Sequence, residues 1–176
     1  MTIKWITMLA TFVVLHVLQA PPVQQALPLG PLGPYSVVRA VRPDPRLTPG
    51  LAMTVTLSAS DVCQPGYARQ ARAVPVSEKR QVFAEYGVTP QRGERFEIDH
   101  LIPLELGGSN DRRNLWPQPF AGAWTAGQKD RLENALHREV CRGQEPLSQA
   151  QEEIQQDWIA AYQSRFRPTG GAADGG

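Results

Sequence analysis

The spacing of apolar and polar residues differs between successive parts of this chain. Residues 95–98 alternate weakly and lead into an apolar run over 101–106, and a glycine-rich segment at 107–111 separates this run from Leu115 and Trp116. Alternation with a period of two is typical of a strand, whereas consecutive Gly, Ser, Asn and Asp residues are typical of a turn. The pattern therefore predicts a β-hairpin whose connecting loop is irregular.

Apolar residues at helical spacing predict a short helix over residues 78–86, before the hairpin, and longer helices after it. Apolar positions recur at intervals of three or four over residues 125–141, and Gly143 ends that helix. Ser148 and Gln151 have the spacing of a capping box and predict the start of a further helix. The apolar face of that last helix comprises Ala150, Ile154, Trp158 or Ile159, and Tyr162. This order of elements predicts an α+β fold.

The first twenty residues have the composition of an export signal. Lys4 precedes an uncharged run of fourteen residues, Trp5 to Leu18, which corresponds to the n-region and h-region of a signal peptide. The run is shorter than the roughly 20 apolar residues of a membrane-spanning helix. Residues 1–20 are therefore predicted to be a signal peptide, or an uncleaved export anchor, that engages the membrane during export. The protein is then expected to be periplasmic or secreted, and membrane-anchored if the segment is not cleaved.

Proline-rich and small polar stretches indicate the other boundaries. Residues 21–51 contain repeated Pro-Pro, Leu-Gly-Pro and Pro-Asp-Pro sequences and are predicted to form an extended tether. Residues 168–176 are small and polar and are predicted to be a disordered tail. The folded unit is therefore expected at about 52–167.

The overall composition is that of a globular protein with little net charge. The 176 residues are 41% hydrophobic and 20% charged, and the formal net charge is +1. This hydrophobic and charged content excludes a wholly disordered chain. The net charge is too small to produce the strong positive field that many DNA-binding proteins use. It is compatible with an enzyme that contacts only a few phosphates at one site.

The chain has two cysteines, Cys63 and Cys141. In an oxidising compartment an even number of cysteines predicts pairing, and a bridge across a loop of this length stabilises a fold by roughly 4 kcal/mol. A reactive or metal-binding thiol is the alternative, but the chain contains no Cys-x-x-Cys motif and neither cysteine adjoins a histidine. We therefore expect a structural disulfide.

Asp99 and His100 are adjacent residues suited to acid–base and metal chemistry. At neutral pH a histidine can take a proton from water, and a carboxylate can hold a hard cation. Hydrolysis of a phosphodiester needs both an activated water and a cation. Neighbouring strand residues point to opposite sides, so the pair can serve one phosphate only if the strand bends or ends between them. Taken alone, an Asp-His pair is also typical of a surface hydrogen bond.

The sequence around this pair resembles the HNH nuclease motif. Asp99 and His100 begin the stretch Asp-His-Leu-Ile-Pro-Leu, which is followed by two glycines and, fourteen positions after His100, by Asn114 and Leu115. The resemblance implies a ββα-metal core, here with additional flanking helices. It also implies that His100 is the general base, that Asp99 binds one divalent cation, and that Asn114 ties down the loop or helps to position the site.

A narrower resemblance, to a group of small predicted exported HNH proteins, covers about 58–163, which is nearly all of the expected folded unit. The matched blocks are Cys63 to Tyr67, Asp99 to Gly108, Asn114 to Gln118, Lys129 to Glu133, Val140 to Gly143, Asp157 with Trp158, and Tyr162. Both cysteines fall within matched blocks, which supports the expected disulfide.

The last metal ligand of that family, a His or Asn near the start of its helix, has no counterpart here. The corresponding window holds Gly122, Ala123 and Trp124, none of which ligates a metal through its side chain. His137 comes twenty-three residues after Asn114, and we expect it to be an exposed helix histidine.

Lys129 and Glu133 are the candidates to complete the site. A helical projection places both towards the hairpin, whereas Asp130 faces further away. Lys129 would bind a phosphate oxygen, and Glu133 would ligate the metal directly or through water. The alternative for this pair is an i,i+4 salt bridge, which contributes only a few tenths of a kcal/mol.

Arg112 and Arg113, in the loop before Asn114, are candidates to contact phosphates that flank the cut, although loop arginines are also commonly solvated. Trp116 and Trp124 are expected in the core. The sequence thus predicts an endonuclease that acts on nucleic acid, DNA rather than RNA, with Mg²⁺ or Mn²⁺ as its divalent cofactor. The alternative is an exported, non-catalytic binding or structural domain that keeps the HNH scaffold.

Overall fold

The computed structural model describes residues 42–53, 57–90 and 95–166. The predicted export segment (1–20), the first part of the predicted tether (21–41) and the predicted tail (168–176) lie outside the described residues. In chain order the elements are α1 (Ala59–Val62), α2 (Tyr67–Ala71), α3 (Val76–Glu85), β1 (Phe96–His100), β2 (Leu115–Pro119), α4 (Ala126–Cys141) and α5 (Leu147–Phe166). The two strands pair antiparallel, so the mixture of helices and sheet confirms the predicted α+β class. None of the described helices is both long and apolar enough to cross a membrane.

The hairpin has a short sheet and a long connection. Asp99 pairs with Trp116 and His100 pairs with Leu115 across the sheet. All five residues of β2 are buried, and the strand tolerates two prolines because it has only one neighbouring strand to pair with. The connection contains two single 3-10 turns, Leu104–Leu106 and Arg112–Asn114. The irregular loop expected from the sequence is therefore present.

The side chain of Asn114 holds this connection together. It is fully buried, and its Oδ1 accepts hydrogen bonds from the main-chain nitrogens of Ile102 (2.9 Å) and Leu51 (3.2 Å). Its Nδ2 donates to the carbonyl oxygens of Ile102 and Ser109, both at 2.9 Å. One amide thereby satisfies four main-chain groups of segments that have no regular secondary structure. The geometry agrees with a residue that ties down the loop.

The last two helices, α4 and α5, begin in different ways. Thr125 and Gln128 form a capping box, so α4 begins at Ala126, close to the predicted start. The capping box expected at Ser148 is absent, because α5 already begins at Leu147 and the carbonyl of Pro146 accepts the first helical hydrogen bonds. The Gln151 side chain instead donates to the carbonyl of Leu106 at 2.7 Å.

A break at Asp157 divides α5 into two segments. Its backbone is non-helical (φ −160°, ψ 88°), and its Oδ1 accepts from the main-chain nitrogens of Ile159 and Ala160 at 3.1 Å. The carboxylate therefore caps the second segment in the manner of a helix N-cap. The break changes the register of the buried face, and both Trp158 and Ile159 lie in the core.

The packed unit extends further towards the N-terminus than the sequence indicated. Residues 42–51 belong to the predicted tether, yet Thr48 is 1% exposed. Its hydroxyl donates to the carbonyl of Leu115 at 2.7 Å and lies 2.6 Å from the Tyr86 hydroxyl. Leu47 and Ala52 also pack against the core. Two apolar residues among several prolines form no regular spacing, so the hydrophobic pattern does not indicate that this segment is packed.

The predicted disulfide is present between Cys63 and Cys141, whose Cα atoms lie 5.7 Å apart. It joins the end of α1 to the end of α4, two segments separated by 78 positions. The apolar core lies between the hairpin, α3, α4 and α5, and it includes Trp116 and Trp158. Trp124 packs against Trp158 at the edge of this core, with 5.9 Å between ring centroids.

Candidate functional site

Asp99 and His100 end β1 with their side chains on two sides of the strand. The Asp99 carboxylate lies against α4, where its Oδ2 is 2.7 Å from Lys129 Nζ. The His100 ring lies on the other side, in a cleft beside the segment that joins α2 to α3. The alternation of a regular strand thus separates the two groups. Any substrate served by both must lie across the end of the strand.

A hydrogen bond determines which ring nitrogen of His100 carries the proton. Nε2 lies 3.1 Å from Asn110 Oδ1. The orientation of the Asn110 amide is fixed because its Nδ2 donates to the carbonyl of Ala71 (2.8 Å) and its Oδ1 accepts from the main-chain nitrogen of Ala73 (3.2 Å). An amide oxygen only accepts, so this hydrogen bond requires a proton on Nε2. The neutral ring then carries its lone pair on Nδ1.

Burial favours the neutral form of His100. The residue is 2% exposed, and burial lowers its pKa below the usual value of 6.5. The charge of Asp99 and the hydrogen bond that Nε2 donates to Asn110 oppose this shift without reversing it, whereas Arg72 and Lys129 add to it. His100 is therefore a neutral imidazole at neutral pH, with a proton on Nε2 and none on Nδ1, as a general base requires.

Lys129 lies inside the protein and contacts three acceptors. It is fully buried, and its Nζ donates to the carbonyl of His100 at 2.7 Å, contacts Asp99 Oδ2 at 2.7 Å and forms a very short contact with Glu133 Oε1. Burial alone would lower the pKa of Lys129, but Asp99 and Glu133 together raise it, so the amine is charged. The ammonium has no exposed surface and no free hydrogen for a substrate. The expected grip on a phosphate oxygen is therefore replaced by a link between the strand and α4.

Glu133 is held by the same ammonium. Burial raises the pKa of its carboxyl group, as do the charges of Asp99 and Glu105, against the opposing effect of Lys129. The pair Lys129 and Glu133 is thus the i,i+4 salt bridge considered above, but a buried one that also includes Asp99. Asp99 and Glu133 therefore share a cation position, but the ammonium of Lys129 occupies it in place of a metal ion.

Further carboxylates surround Asp99. Burial, followed by the charges of Asp99 and Asp130, raises the pKa of Glu97 to about 7. Burial and then Asp99 likewise raise the pKa of Asp130. Asp130 was expected to face further away from the hairpin, yet its charge helps to raise the pKa of Glu97, and Asp99 helps to raise the pKa of Asp130. The residues Glu97, Asp99 and Asp130 form what we call the acidic group of the site.

A basic cleft lies on the His100 side. It has a volume of about 420 Å³ and is lined by Arg72, Ala73, Val74, Pro75, Lys79, Ile98 and His100. Arg72 also acts electrostatically on Glu97 and Asp130 and so connects the two sides of β1. Sequence reasoning missed Arg72, Lys79 and Asn110, because they lie on short helices and loops whose order along the chain does not indicate their proximity to His100.

The structure does not bring Arg112 and Arg113 to this cleft. Arg112 forms ion pairs with Glu78 (2.8 Å) and Glu85 (2.5 Å) of α3, and Arg113 binds Asp111 at 2.9 Å. Arg112 is thereby held against α3, and Arg113 is held by a residue of its own loop. The side-chain hydrogen bond from Arg113 lowers the pKa of Asp111 to about 2. The two arginines predicted to contact phosphate therefore lie away from the imidazole, whereas Arg72 lines its cleft.

His137 lies at the other end of the same face of α4. It is half-buried rather than exposed, with Nε2 3.1 Å from the carbonyl of Val62 and 3.4 Å from Cys141 Sγ. Its Nδ1 is 3.9 Å from Glu105 Oε2. Residues 129, 133, 137 and 141 thus form one polar stripe along α4, at a constant spacing of four.

Comparison with protein-family models, with curated proteins and with solved structures finds no match to this chain. The resemblance to HNH nucleases therefore rests on the motif residues themselves. Function has to be argued from the chemistry of the site.

Proposed function

We propose that this chain is a divalent-metal-dependent endonuclease that hydrolyses phosphodiester bonds of DNA at the Asp99–His100 site. The observation that carries the proposal is the buried, neutral imidazole of His100, with Nε2 bonded to Asn110 and Nδ1 left as a base, at the end of the strand that carries Asp99. A base beside a carboxylate is the pair that metal-assisted phosphodiester hydrolysis needs. The motif resemblance and the ββα order of β1, β2 and α4 agree with it.

The acidic group offers carboxylate oxygens, the type of ligand that a hard divalent cation such as Mg²⁺ or Mn²⁺ prefers. Asp99 Oδ2 is buried, and within the described residues it has an ion-pair contact with Lys129 but no well-directed hydrogen bond. Mg²⁺ commonly keeps several waters and uses one or two carboxylates together with substrate phosphate. Asp99 would therefore hold the ion, with Glu97 and Asp130 reached through water. When bound, the ion offsets negative charge on the phosphate as the bond to the leaving oxygen breaks.

The protein's own side chains supply the general base, the phosphate contacts and the positioning of the site. Nδ1 of His100 takes the proton from the attacking water. Arg72 and Lys79, which line the cleft beside it, bind phosphate oxygens without reading base sequence. Lys129 acts as a positioning residue, because it holds both the Asp99 carboxylate and the carbonyl of His100.

The disulfide agrees with an exported protein, since such bonds persist in oxidising compartments. The low net charge predicts substrate binding that is sensitive to salt and tolerant of sequence.

The full chain, incubated with plasmid DNA, tests the proposal. We expect cutting with Mg²⁺ or Mn²⁺, none with EDTA, and a loss of at least about a hundredfold in His100→Ala, the usual size of a general-base contribution. His137→Ala is the matched control, because it removes the other described histidine, and it should still cut. Unchanged cutting by folded His100→Ala would rule out His100 as the base. A parallel series with RNA establishes the preferred substrate.

The position of Lys129 favours a second candidate, an exported binding or structural domain without catalysis. A buried ammonium already contacts both Asp99 and Glu133 and offsets part of their negative charge, which is a role that a metal ion plays in an enzyme. This candidate predicts that the folded protein cuts neither DNA nor RNA with any divalent cation. Metal-dependent cutting that His100→Ala abolishes excludes it.

A further inference from the structure

The second histidine of the described chain lies beside the disulfide. Cys63, His137 and Cys141 each offer one ligand atom, and these atoms all lie within 4.8 Å of one another. Cys63 and His137 are half-buried and Cys141 is exposed, so solvent has access to the group. The residues are distinct from Asp99 and His100.

The separation between His137 Nε2 and Cys141 Sγ matches that across a zinc ion. In a tetrahedral site with Zn–S of about 2.3 Å and Zn–N of about 2.0 Å, a nitrogen and a sulfur lie about 3.5 Å apart. The observed distance is 3.4 Å. Two zinc-bound sulfurs lie about 3.8 Å apart, so Cys63 and Cys141 need only separate by side-chain rotation once their bond is broken.

Glu105 provides a second, independent feature of a metal site. Metal-binding histidines commonly direct their other ring nitrogen at a carboxylate, and Nδ1 of His137 faces Glu105 Oε2 at 3.9 Å. The other oxygen, Glu105 Oε1, is buried and has no hydrogen-bond partner among the described residues. In the oxidised chain Nε2 donates to the carbonyl of Val62 at 3.1 Å, so a metal at Nε2 would displace this bond and leave the ring proton on Nδ1, on the side of Glu105.

We propose that reduction of the Cys63–Cys141 disulfide produces a Zn²⁺ site whose ligands are Cys63, Cys141 and His137, with water in the fourth position and Glu105 orienting the histidine. A phosphine reductant and water convert the disulfide into two thiols and the phosphine oxide. Zn²⁺ then displaces one proton from each thiol to form two Zn–S bonds. The same two segments, 78 positions apart in sequence, are thereby linked by a metal in the reduced chain and by a covalent bond in the oxidised chain. This inference does not depend on the proposed nuclease activity.

Cobalt substitution in the full chain tests the site, because thiolate ligands give Co²⁺ a charge-transfer absorption band. After reduction with a non-thiol phosphine, we expect one Co²⁺ per chain with this band, its displacement by Zn²⁺, and a higher melting temperature with Zn²⁺ than without. The oxidised protein should show no band. His137→Gln should weaken Co²⁺ binding about a hundredfold or more, and Glu105→Gln roughly tenfold.

The matched control is Asn134→Ala, an exposed position on α4 that should bind Co²⁺ as the unchanged protein does. Absence of the band from the reduced protein, folded or unfolded, would overturn the proposal. Equal affinity in His137→Gln would also overturn it, because two thiolates of an unfolded chain would then account for the binding. Circular dichroism of the reduced, Zn²⁺-loaded chain should show the helix content of the oxidised protein, and loss of that content likewise contradicts the site.

Discussion

At the scale of single residues, the buried ammonium of Lys129 has the largest predicted effect on stability. It is fully buried against Asp99, Glu133 and the carbonyl of His100. Lys129→Met keeps the length of the side chain but leaves two buried carboxylates without their cation. We expect the free energy of unfolding to fall by about 3–5 kcal/mol, the usual effect of removing one partner of a buried pair. Urea unfolding measures it.

The control for that experiment is Arg138→Met on the exposed side of α4, which should change stability by about 0.5 kcal/mol or less. A similarly small effect of Lys129→Met would show that the buried ion pair does not contribute to stability. At pH 7 Lys129→Met should also lose nuclease activity, since the positions of Asp99 and His100 depend on the ammonium of Lys129.

The lowered pKa of His100 predicts the acid limb of the activity. A general base works only when it is unprotonated, so kcat/KM should fall as the pH drops through the pKa of His100, with a midpoint below 6.5. Arg72 is one of the groups that lower this pKa. Arg72→Gln should therefore move the midpoint upwards, and it should also raise KM if Arg72 binds phosphate. The pH profile of plasmid cutting checks both, and a midpoint that stays fixed in Arg72→Gln would contradict the electrostatic link.

The residues of the site differ in how well the sequence reveals them. Asp99, His100 and Asn114 lie in one short motif with fixed spacing, so a resemblance is enough to identify them. Asn110 belongs to the same loop, but its contact with His100 depends on the course of the loop in space. Arg72 lies in the segment between α2 and α3, where no periodic pattern indicates its position. The sequence alone therefore does not predict which residues of distant segments contact one another.

At the scale of elements, the connection between the two strands depends on a glycine. A Cβ atom built at Gly108 would lie 1.7 Å from the carbonyl oxygen of Ile102, far inside contact distance. Gly108→Ala must displace the loop that Asn114 holds, and we expect a loss of about 3 kcal/mol or more, the upper range for overpacking. Thermal and urea unfolding measure the loss.

Gly127 in the first turn of α4 is the matched control for Gly108. Nothing lies within 4 Å of a Cβ built there. Gly127→Ala should raise the free energy of unfolding by about 0.5–1 kcal/mol, because alanine is the better helix former. If Gly108→Ala changed the free energy of unfolding as little as Gly127→Ala does, the loop would accommodate the added Cβ atom without a loss of stability.

Helix bounds follow from the sequence where a local motif sets them. The capping box at Thr125 and Gln128 gives α4 a start within one residue of the prediction. The same kind of motif misleads at Ser148, because α5 already begins at Leu147, after Pro146, and the Gln151 side chain bonds to Leu106 of a distant loop. A tertiary hydrogen bond competes there with a local one, and only the folded chain determines which forms.

At the scale of the whole molecule, the segment 42–53 is joined to the domain through Tyr86 and Thr48. The hydroxyl of Thr48 donates its one proton to Leu115, so at 2.6 Å the Tyr86 hydroxyl must donate to Thr48. The main-chain nitrogen of Asp44 donates to Tyr86 in turn, at 3.1 Å. This chain of hydrogen bonds links α3, β2 and the N-terminal segment, and it exists only while Tyr86 is protonated.

The titration of Tyr86 therefore predicts how the stability of the whole domain depends on alkaline pH. Burial raises the pKa of Tyr86 to about 12, whereas the unfolded chain ionises near 10. Between these values the folded state holds the proton that the unfolded state has lost, so stability is unaffected below pH 10 and falls as the pH rises towards 12. Two pKa units correspond to about 2–3 kcal/mol. Urea unfolding at pH 8, 10 and 11 measures the fall, with Tyr86→Phe as the reference that removes this proton. If the variant loses stability with pH as steeply as the unchanged protein, Tyr86 is not the group responsible for the loss.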